Sequence, residues 1–424
     1  MADVAAINTS PVCCALSAAA LGLPGLFPQA MAGQVIEQPE FNLQYGRYQE
    51  SNDRVAANIY QGSVLAPLAQ TGQFQGNWVV NAWSGATPVL TMPAAAAEII
   101  AGASGIHDVN AAHIASENEA PVQVMTGASP GETRYGLELG GDYFLDDMTL
   151  HGSVSRSEEP DYLAHSYHIG MDWALNQKLT TLSFGFGQDI ARIEPTTRPL
   201  SRHRNDYRLQ MGLSQVIDKK SLFRMTLAYS NSQGFLSNPY KKVYVQGLPA
   251  DTGLINAGFA KVFYENRPEH RQQGSLSLGY IHYLQGLDAA LHLDYRFYRD
   301  SWNINSHTFE AALYQPIGNG WMLVPRIRYY TQSKAGFYQV FFNAPRQDNY
   351  YSSDYRLAGF GTLSGGLKLT RERVFEHALL TAAKFALGFE YTQHAADLQL
   401  GGAQGSDITD FSYFILTASL KLQF

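Results

Sequence analysis

The 424-residue sequence has two cysteines, Cys13 and Cys14, and both fall within its first 32 residues. With that segment removed on export the chain has no thiol, which excludes disulfides, thiolate metal sites and cysteine nucleophiles together. Long apolar runs are missing as well. After Gly33 no stretch stays apolar for the roughly 18 residues of a membrane helix, so helical spans are excluded. Residues 88–106 come closest, and Pro93, Glu98 and several glycines interrupt them. Charge is scarce, at 16% of residues, and the net charge of −7 is spread thinly. With no Lys/Arg cluster and no acidic tail, nucleic acid is excluded as a partner.

What the chain does have is aromatic side chains, 12% of it with 25 Tyr, and 38 Gly. That is too aromatic for disorder and too polar for a bundle of membrane helices. The N-terminus reads as an export signal over residues 1–32. Pro11 to Leu26 is apolar and uncharged, and Ala30-Met31-Ala32 supplies the small-x-small pattern before a cut at Gly33. The usual basic n-region is missing, since Met1 to Ser10 carries Asp3 and no Lys or Arg. Residues 33–424 read as one domain.

Its dominant signal is alternation at period two. From Phe414, one face reads Phe414, Leu416, Ala418, Leu420, Leu422 and Phe424, and the other Tyr413, Ile415, Thr417, Ser419, Lys421 and Gln423. Successive strand side chains point to opposite faces, so one face suits lipid and the other water. Residues 135–143, 288–298, 321–332 and 384–394 repeat the pattern. Such segments reach the roughly ten residues that a tilted strand needs to cross a bilayer, and many end in Tyr, Trp or Phe. About sixteen strands are expected. They begin near Phe41, Arg54, Phe74, Arg134, Met148, Ala164, Leu179, Asp206, Leu222, Arg271, Asp288, Trp302, Trp321, Tyr355, Thr381 and Thr409. Short turn-rich connections follow even-numbered strands, whereas the long ones (85–133, 190–205, 231–270 and 333–354) follow odd-numbered strands. The fold class expected is therefore all-β: a transmembrane antiparallel β-barrel with short periplasmic turns and long extracellular loops.

The polar faces carry charges of both signs. Arg326, Arg328 and Arg356 are expected on adjacent strands as a basic ladder. Arg208, Arg224, Asp294, Arg296, Glu138, Asp142 and Glu390 are further candidates for lining a lumen and acting on solutes. The competing reading is that opposite charges pair across neighbouring strands and hold the wall. The 85–133 connection opens and closes on related pentapeptides, Ser84-Gly85-Ala86-Thr87-Pro88 and Thr126-Gly127-Ala128-Ser129-Pro130, with an apolar helix expected over Ala94 to Ala101. It reads either as a plug in the barrel mouth or as a cap on other loops.

No active site is specified. Ser306 and His307 are adjacent on a strand and so face opposite ways, and no His-x-His pair follows strand geometry for a metal. The acids Glu158, Glu159 and Asp161 read as a solvated loop rather than a Ca²⁺ site. Neither enzyme activity nor a cofactor is expected.

Several segments resemble a known family: Leu16 to Leu26, Leu43-Gln44-Tyr45-Gly46-Arg47-Tyr48, the paired pentapeptides, Ser237-Asn238-Pro239-Tyr240-Lys241, Ser306-His307-Thr308, Arg328 to Tyr338 and Tyr351 to Leu357. They are similar to a widespread domain-of-unknown-function family of proteobacterial outer-membrane proteins. The resemblance covers essentially the whole chain after the signal. It implies a barrel, and it carries no catalytic residues. Genes of that family often lie near those for a small lipoprotein, a thioredoxin-like protein and a flavin transferase, which implies redox work outside the cytoplasm.

The function expected is an outer-membrane, porin-like channel or transporter for small polar solutes. The alternative is a scaffold barrel that houses a lipoprotein or an electron-transfer component. Expected partners are outer-membrane lipid, the barrel-assembly machinery through the strand ending in Phe424, and a small lipoprotein.

Overall fold

The computed structural model describes residues 35–85, 88–93, 121–125, 129–247, 260–375, 380–402 and 410–424. The expected signal peptide and the expected Ala94–Ala101 helix lie outside these residues.

The described residues form twenty strands: β1 (Glu40–Glu50), β2 (Val55–Leu68), β3 (Gly72–Gly85), β4 (Pro88–Pro93), β5 (Pro121–Met125), β6 (Ser129–Phe144), β7 (Met148–Glu159), β8 (Tyr162–Leu175), β9 (Thr180–Ile193) and β10 (Arg202–Asp218), then β11 (Ser221–Gly234), β12 (Lys242–Gln246), β13 (Ala260–Tyr264), β14 (His270–Leu284), β15 (Ala289–Asp300), β16 (Asn305–Gly318), β17 (Trp321–Gln332), β18 (Phe360–Val374), β19 (Ala382–Ala395) and β20 (Phe411–Gln423). Sixteen of them close an antiparallel barrel, with β4–β5 and β12–β13 standing apart as two-stranded sheets. The seam joins the first strand to the last, pairing Glu40 with Gln423 and Glu50 with Tyr413.

The alternation in the sequence becomes an inside and an outside. On β6, Tyr135, Leu137, Leu139 and Tyr143 are exposed on the outer face, while Arg134, Glu138 and Asp142 point inward. Tyr135 is 60% exposed and Ile169 on β8 64%. A continuous belt of this kind is untenable in water and natural in lipid. Tyr45 and Tyr60, paired across β1 and β2 with ring centroids 5.3 Å apart, belong to its aromatic margin. A strand of 14 residues such as β2 runs about 46 Å at ~3.3 Å per residue, or about 35 Å along the normal at a tilt of ~40°. That covers a hydrocarbon core of ~30 Å.

Connections at the two ends differ sharply. At the end holding residue 40, β16 turns into β17 through Asn319 (φ 51°) and Gly320 (φ 75°), the paired left-handed conformations of a two-residue hairpin. Asn176, Gln177 and Lys178 turn β8 into β9 with positive φ throughout.

At the opposite end lie the long excursions after β3, β11 and β17. The first contributes β4–β5 and the second β12–β13, and the third, residues 333–359, is irregular. They form one packed body. The Gln246 amide donates to the Phe342 carbonyl, the Phe342 amide to the Tyr244 carbonyl, and Asn266 and Tyr351 exchange both backbone bonds. Leu90, Met92, Val243, Tyr244, Val245 and Phe342 are fully buried within it.

Four strand starts differ from expectation by three residues or more. Two come early, with β6 starting at Ser129 where Arg134 was expected and β10 at Arg202 where Asp206 was expected, and two come late. Trp302 belongs to the β15–β16 turn, where the Asp300 carboxylate accepts from the amides of Trp302 and Ile304, and β16 starts at Asn305. Tyr355–Leu357 is a short 3-10 turn, and β18 starts at Phe360. Asp354 caps that turn by accepting from the Arg356 amide, which holds the chain off the barrel wall. The connection after β3 is also more regular than expected, since Gly85 still pairs with Ser129 and residues 88–93 pair with 121–125.

Candidate functional site

The inward faces and the packed loops above them form one continuous polar interior. Three loop carbonyl and side-chain anchors tie those loops to the rim. The Tyr240 hydroxyl donates to Asp161 Oδ2 at 2.6 Å in the β7–β8 turn, and Phe235 packs on Tyr162, Ala164, Ala191 and Ile193 of β8 and β9. Across the mouth, Phe337 packs edge-on against Trp302, centroids 5.1 Å apart, and Gln332 of β17 donates to the Arg356 and Ala358 carbonyls at 2.9 and 2.6 Å. On a third side, Tyr355 meets Phe411 of β20 at 5.8 Å and Arg54, beside β2, at 5.8 Å. The loops therefore span the mouth as a lid.

At the centre of the lid is Asp354, 1% exposed. Arg267 Nη2 lies 2.8 Å from its Oδ2, Lys241 Nζ 3.8 Å from its Oδ1, and Arg356 grips the same carboxylate through Nε and Nη2. Burial alone would raise the Asp354 pKa, but the three cations outweigh it and hold the group well below the usual carboxylate range. Glu265 is the second buried acid. It takes Arg267 Nε at 2.7 Å, the Ser352 hydroxyl at 2.6 Å and the Asn238 amide. Lys241 also donates to the Pro88 carbonyl, linking β4 to the same knot. Burial pushes the Lys241 ammonium down to about 8, with Asp354 opposing the shift. The Tyr355 hydroxyl, buried between Arg356 and Glu50, is pushed up to about 12. The two loop motifs Ser237–Lys241 and Tyr351–Leu357 thus meet at one charge cluster.

Below the lid the barrel is lined by cross-strand ion pairs. Arg326 on β17 lies between Glu310 (2.9 Å) and Glu390 (3.1 Å). It reaches Glu390 across β18, where the intervening residue is Gly366. Arg224 reaches Asp294 at 3.5 Å across β14 in the same way, over Gly279. A Cβ at Gly279 would sit 2.8 Å from Asp294 Oδ1. Arg208 is held by Asp189 at 2.7 Å. Asp142 takes His151 Nδ1 at 2.7 Å, with Asp172 3.3 Å from the other ring nitrogen. Glu138 accepts from Asn77. The signs are unevenly placed around the wall. Strands β6–β10 carry Glu138, Asp142, Glu159, Asp172, Asp189 and Asp206 against Arg134, Arg204 and Arg208. Strands β15–β19 carry Arg296, Arg326, Arg328, Lys368 and Lys384 against Asp294, Asp300, Glu310, Glu372 and Glu390, an even balance in which Lys384 lies 3.3 Å from Glu372.

The expected basic ladder needs one correction. Arg326 and Arg328 do share the inward face of β17, but Arg356 is a lid residue folded onto Asp354 and not a member of the next strand. Glu158 and Glu159 are strand residues paired with Arg156 and Arg134. Ser306 is buried on the inside, and His307 faces outward, with Tyr295 Oη 2.9 Å from its Nδ1. Sequence reasoning missed Lys241, Glu265, Arg267 and Asp354. The available signal was that two motifs rich in Pro, Tyr and ionisable residues occupy loops, where packing alone gives no reason for them.

The chain is similar to a structure described as a bacterial polysaccharide outer membrane secretin (7% identity, TM-score 0.46, covering 91% of this chain and 98% of that one). It is also similar to OccD3 (OpdP) of Pseudomonas aeruginosa (9% identity, TM-score 0.42, 92% and 93%). A third is the ferric enterobactin receptor of the same organism (11% identity, TM-score 0.43, covering 85% of this chain and 54% of that one). No curated protein matches the sequence. One family model matches, over residues 13–203 and 192–415. This capped sixteen-stranded barrel therefore belongs to the family described as "Protein of unknown function (DUF3570)".

Proposed function

We propose that the chain is an outer-membrane passage for small polar solutes whose outer mouth is held by the lid. The observation that supports this best is the inward wall itself, on which an acid-rich arc over β6–β10 faces a balanced arc over β15–β19 whose Arg296 and Arg328 have no carboxylate within ion-pair distance among the described residues. An excess of acid on one arc, with unpaired guanidiniums on the other, sets up a field across the lumen, which orders a polar solute and its water. Among the described residues, the short turns at the other end form no comparable cover. The family motifs fit this reading as parts of the lid, with Lys241, Glu265, Arg267, Asp354 and Arg356 as its fastening. Arg326, Arg328, Arg208, Arg224, Asp294, Arg296, Glu138, Asp142 and Glu390 are proposed as the wall that solutes meet.

A second reading is favoured by the lid alone. A barrel covered outside, with only short turns among the described residues of its other end, is also a holder for a periplasmic partner, such as a small lipoprotein. In both readings the chain sits in outer-membrane lipid, and the assembly machinery takes it up through β20. Liposome swelling separates them. Proteoliposomes are expected to swell in small sugars and amino acids, and faster once the lid is loosened by Asp354→Asn. No swelling from either protein, together with a periplasmic protein retained at a fixed stoichiometry, supports the holder instead.

A further inference from the structure

The inward arginines below the lid fall into two groups. Arg134, Arg204, Arg208, Arg224, Arg271 and Arg326 each have a carboxylate oxygen within 3.7 Å. Arg296 and Arg328 have none among the described residues, and Arg296 Nε is buried without a hydrogen-bond partner. The acids nearest to them in register are already engaged. Glu310, directly opposite Arg328, is turned to Arg326, and Asp294, the preceding inward residue on β15, is turned to Arg224.

The two unpaired guanidiniums belong to one small area. Arg296 on β15 faces Thr308 on β16, which faces Tyr330 on β17, and Arg328 is the adjacent inward residue on that strand. The Tyr330 hydroxyl between them donates to Gln332 Oε1 at 2.6 Å. Gln332, the next inward residue beyond Tyr330, is the one that fastens the lid at Arg356 and Ala358. The area is thus the first part of the lumen beneath the lid. A shielded guanidinium requires a counter-charge, and its planar fork matches carboxylate and phosphate oxygens.

We infer that Arg296 and Arg328 together bind the oxyanion of a solute carrying a carboxylate or phosphate group, with the Thr308 hydroxyl as a neighbouring donor. This rests on the passage reading and gives anions a binding step among the small polar solutes.

The test is calorimetric titration of the purified, detergent-solubilised full chain with inorganic phosphate and with citrate at low ionic strength. Saturable binding of at least one is expected, weakened at least tenfold in Arg296→Gln/Arg328→Gln. It should change less than twofold in Arg156→Gln, an arginine on the outer face. Arg328→Lys, which keeps the charge and loses the fork, is expected to bind more weakly than the parent. Heat-modifiable migration confirms that each variant is folded. Unchanged affinity in the double variant, or no saturable binding of either anion, overturns the site. Binding without conductance keeps the site and removes the passage, whereas conductance without binding does the reverse.

Discussion

Lys241 and Asp354, which come from two different loops, meet inside the lid with Nζ 3.8 Å from Oδ1. Both are almost wholly buried, at 6% and 1% exposure. Neither would be tolerated there alone. The pair, with Arg267 and Arg356 on the same carboxylate, turns three separate excursions into a single cover.

Removing the acid should undo that cover while leaving the barrel intact. Asp354→Asn keeps the shape and leaves Lys241, Arg267 and Arg356 without their shared counter-charge. Breaking a buried pair in this way costs about 3–5 kcal/mol. Limited proteolysis is expected to cut within residues 333–359 far faster in the variant, while the unheated gel migration of the barrel is unchanged. Equal protection of the loop in both proteins would show that Asp354 does not fasten it.

The lid should also respond to alkali through Lys241. Its proton is held with a pKa of about 8 in the folded lid against 10.5 as the ordinary value. Between those pH values the unfolded segment holds the extra proton, so stability rises as pH increases through this window, by up to roughly 3 kcal/mol. Asp354 acts at the other extreme. Its folded pKa is depressed, so its contribution is present above the ordinary carboxylate value and is lost as pH falls below it. Amide exchange of β12 followed from pH 7 to 10 is expected to show the alkaline gain, and Lys241→Met to flatten it. A gain of equal size in the variant would assign the effect to other groups.

The β16–β17 turn offers a test of assembly rather than of gating. Gly320 has φ 75°, and a Cβ there would stand 2.3 Å from the Glu372 carbonyl oxygen. Gly320→Ala is expected to destabilise the barrel by about 1–3 kcal/mol, read as a lower temperature for the heat-induced gel shift. A shift temperature equal to the parent's would mean that the turn relaxes freely.

Most of this wall was legible in the sequence, and the reason is geometric. A strand that divides lipid from a polar interior must alternate. Thus Phe414 to Phe424, or Tyr135 to Tyr143, declares both its conformation and its two environments. The strand near Tyr355 was misplaced because Tyr355-Arg356-Leu357 also alternates, and a side-chain cap from Asp354 decides against the strand. The lid was hidden for a related reason. Its fastening joins Lys241, Glu265 and Asp354 across long stretches of chain, and nothing local records which loops fold inward together. For the lumen candidates, the residue types were readable and their pairing was not. Arg326 finds Glu390 two strands away only because Gly366 lies between them.

A mild perturbation of the wall separates pairing from stability. Gly279→Ala places a methyl group against Asp294 and Arg224, both of them partly exposed. The side chains can part at little cost, so stability should change by less than about 1 kcal/mol. The anion-to-cation permeability ratio, measured in a salt gradient, is expected to move. An unchanged ratio would remove this pair from the solute's path.

The most direct test of a lidded polar passage is single-channel recording of the purified chain and its Asp354→Asn variant in planar bilayers. The parent is expected to stay closed most of the time. The variant should have at least a tenfold larger open fraction at the same unit conductance, since the wall beneath is untouched. Absence of conductance in both proteins, or an equal open fraction in a variant whose lid is demonstrably loosened, would contradict it.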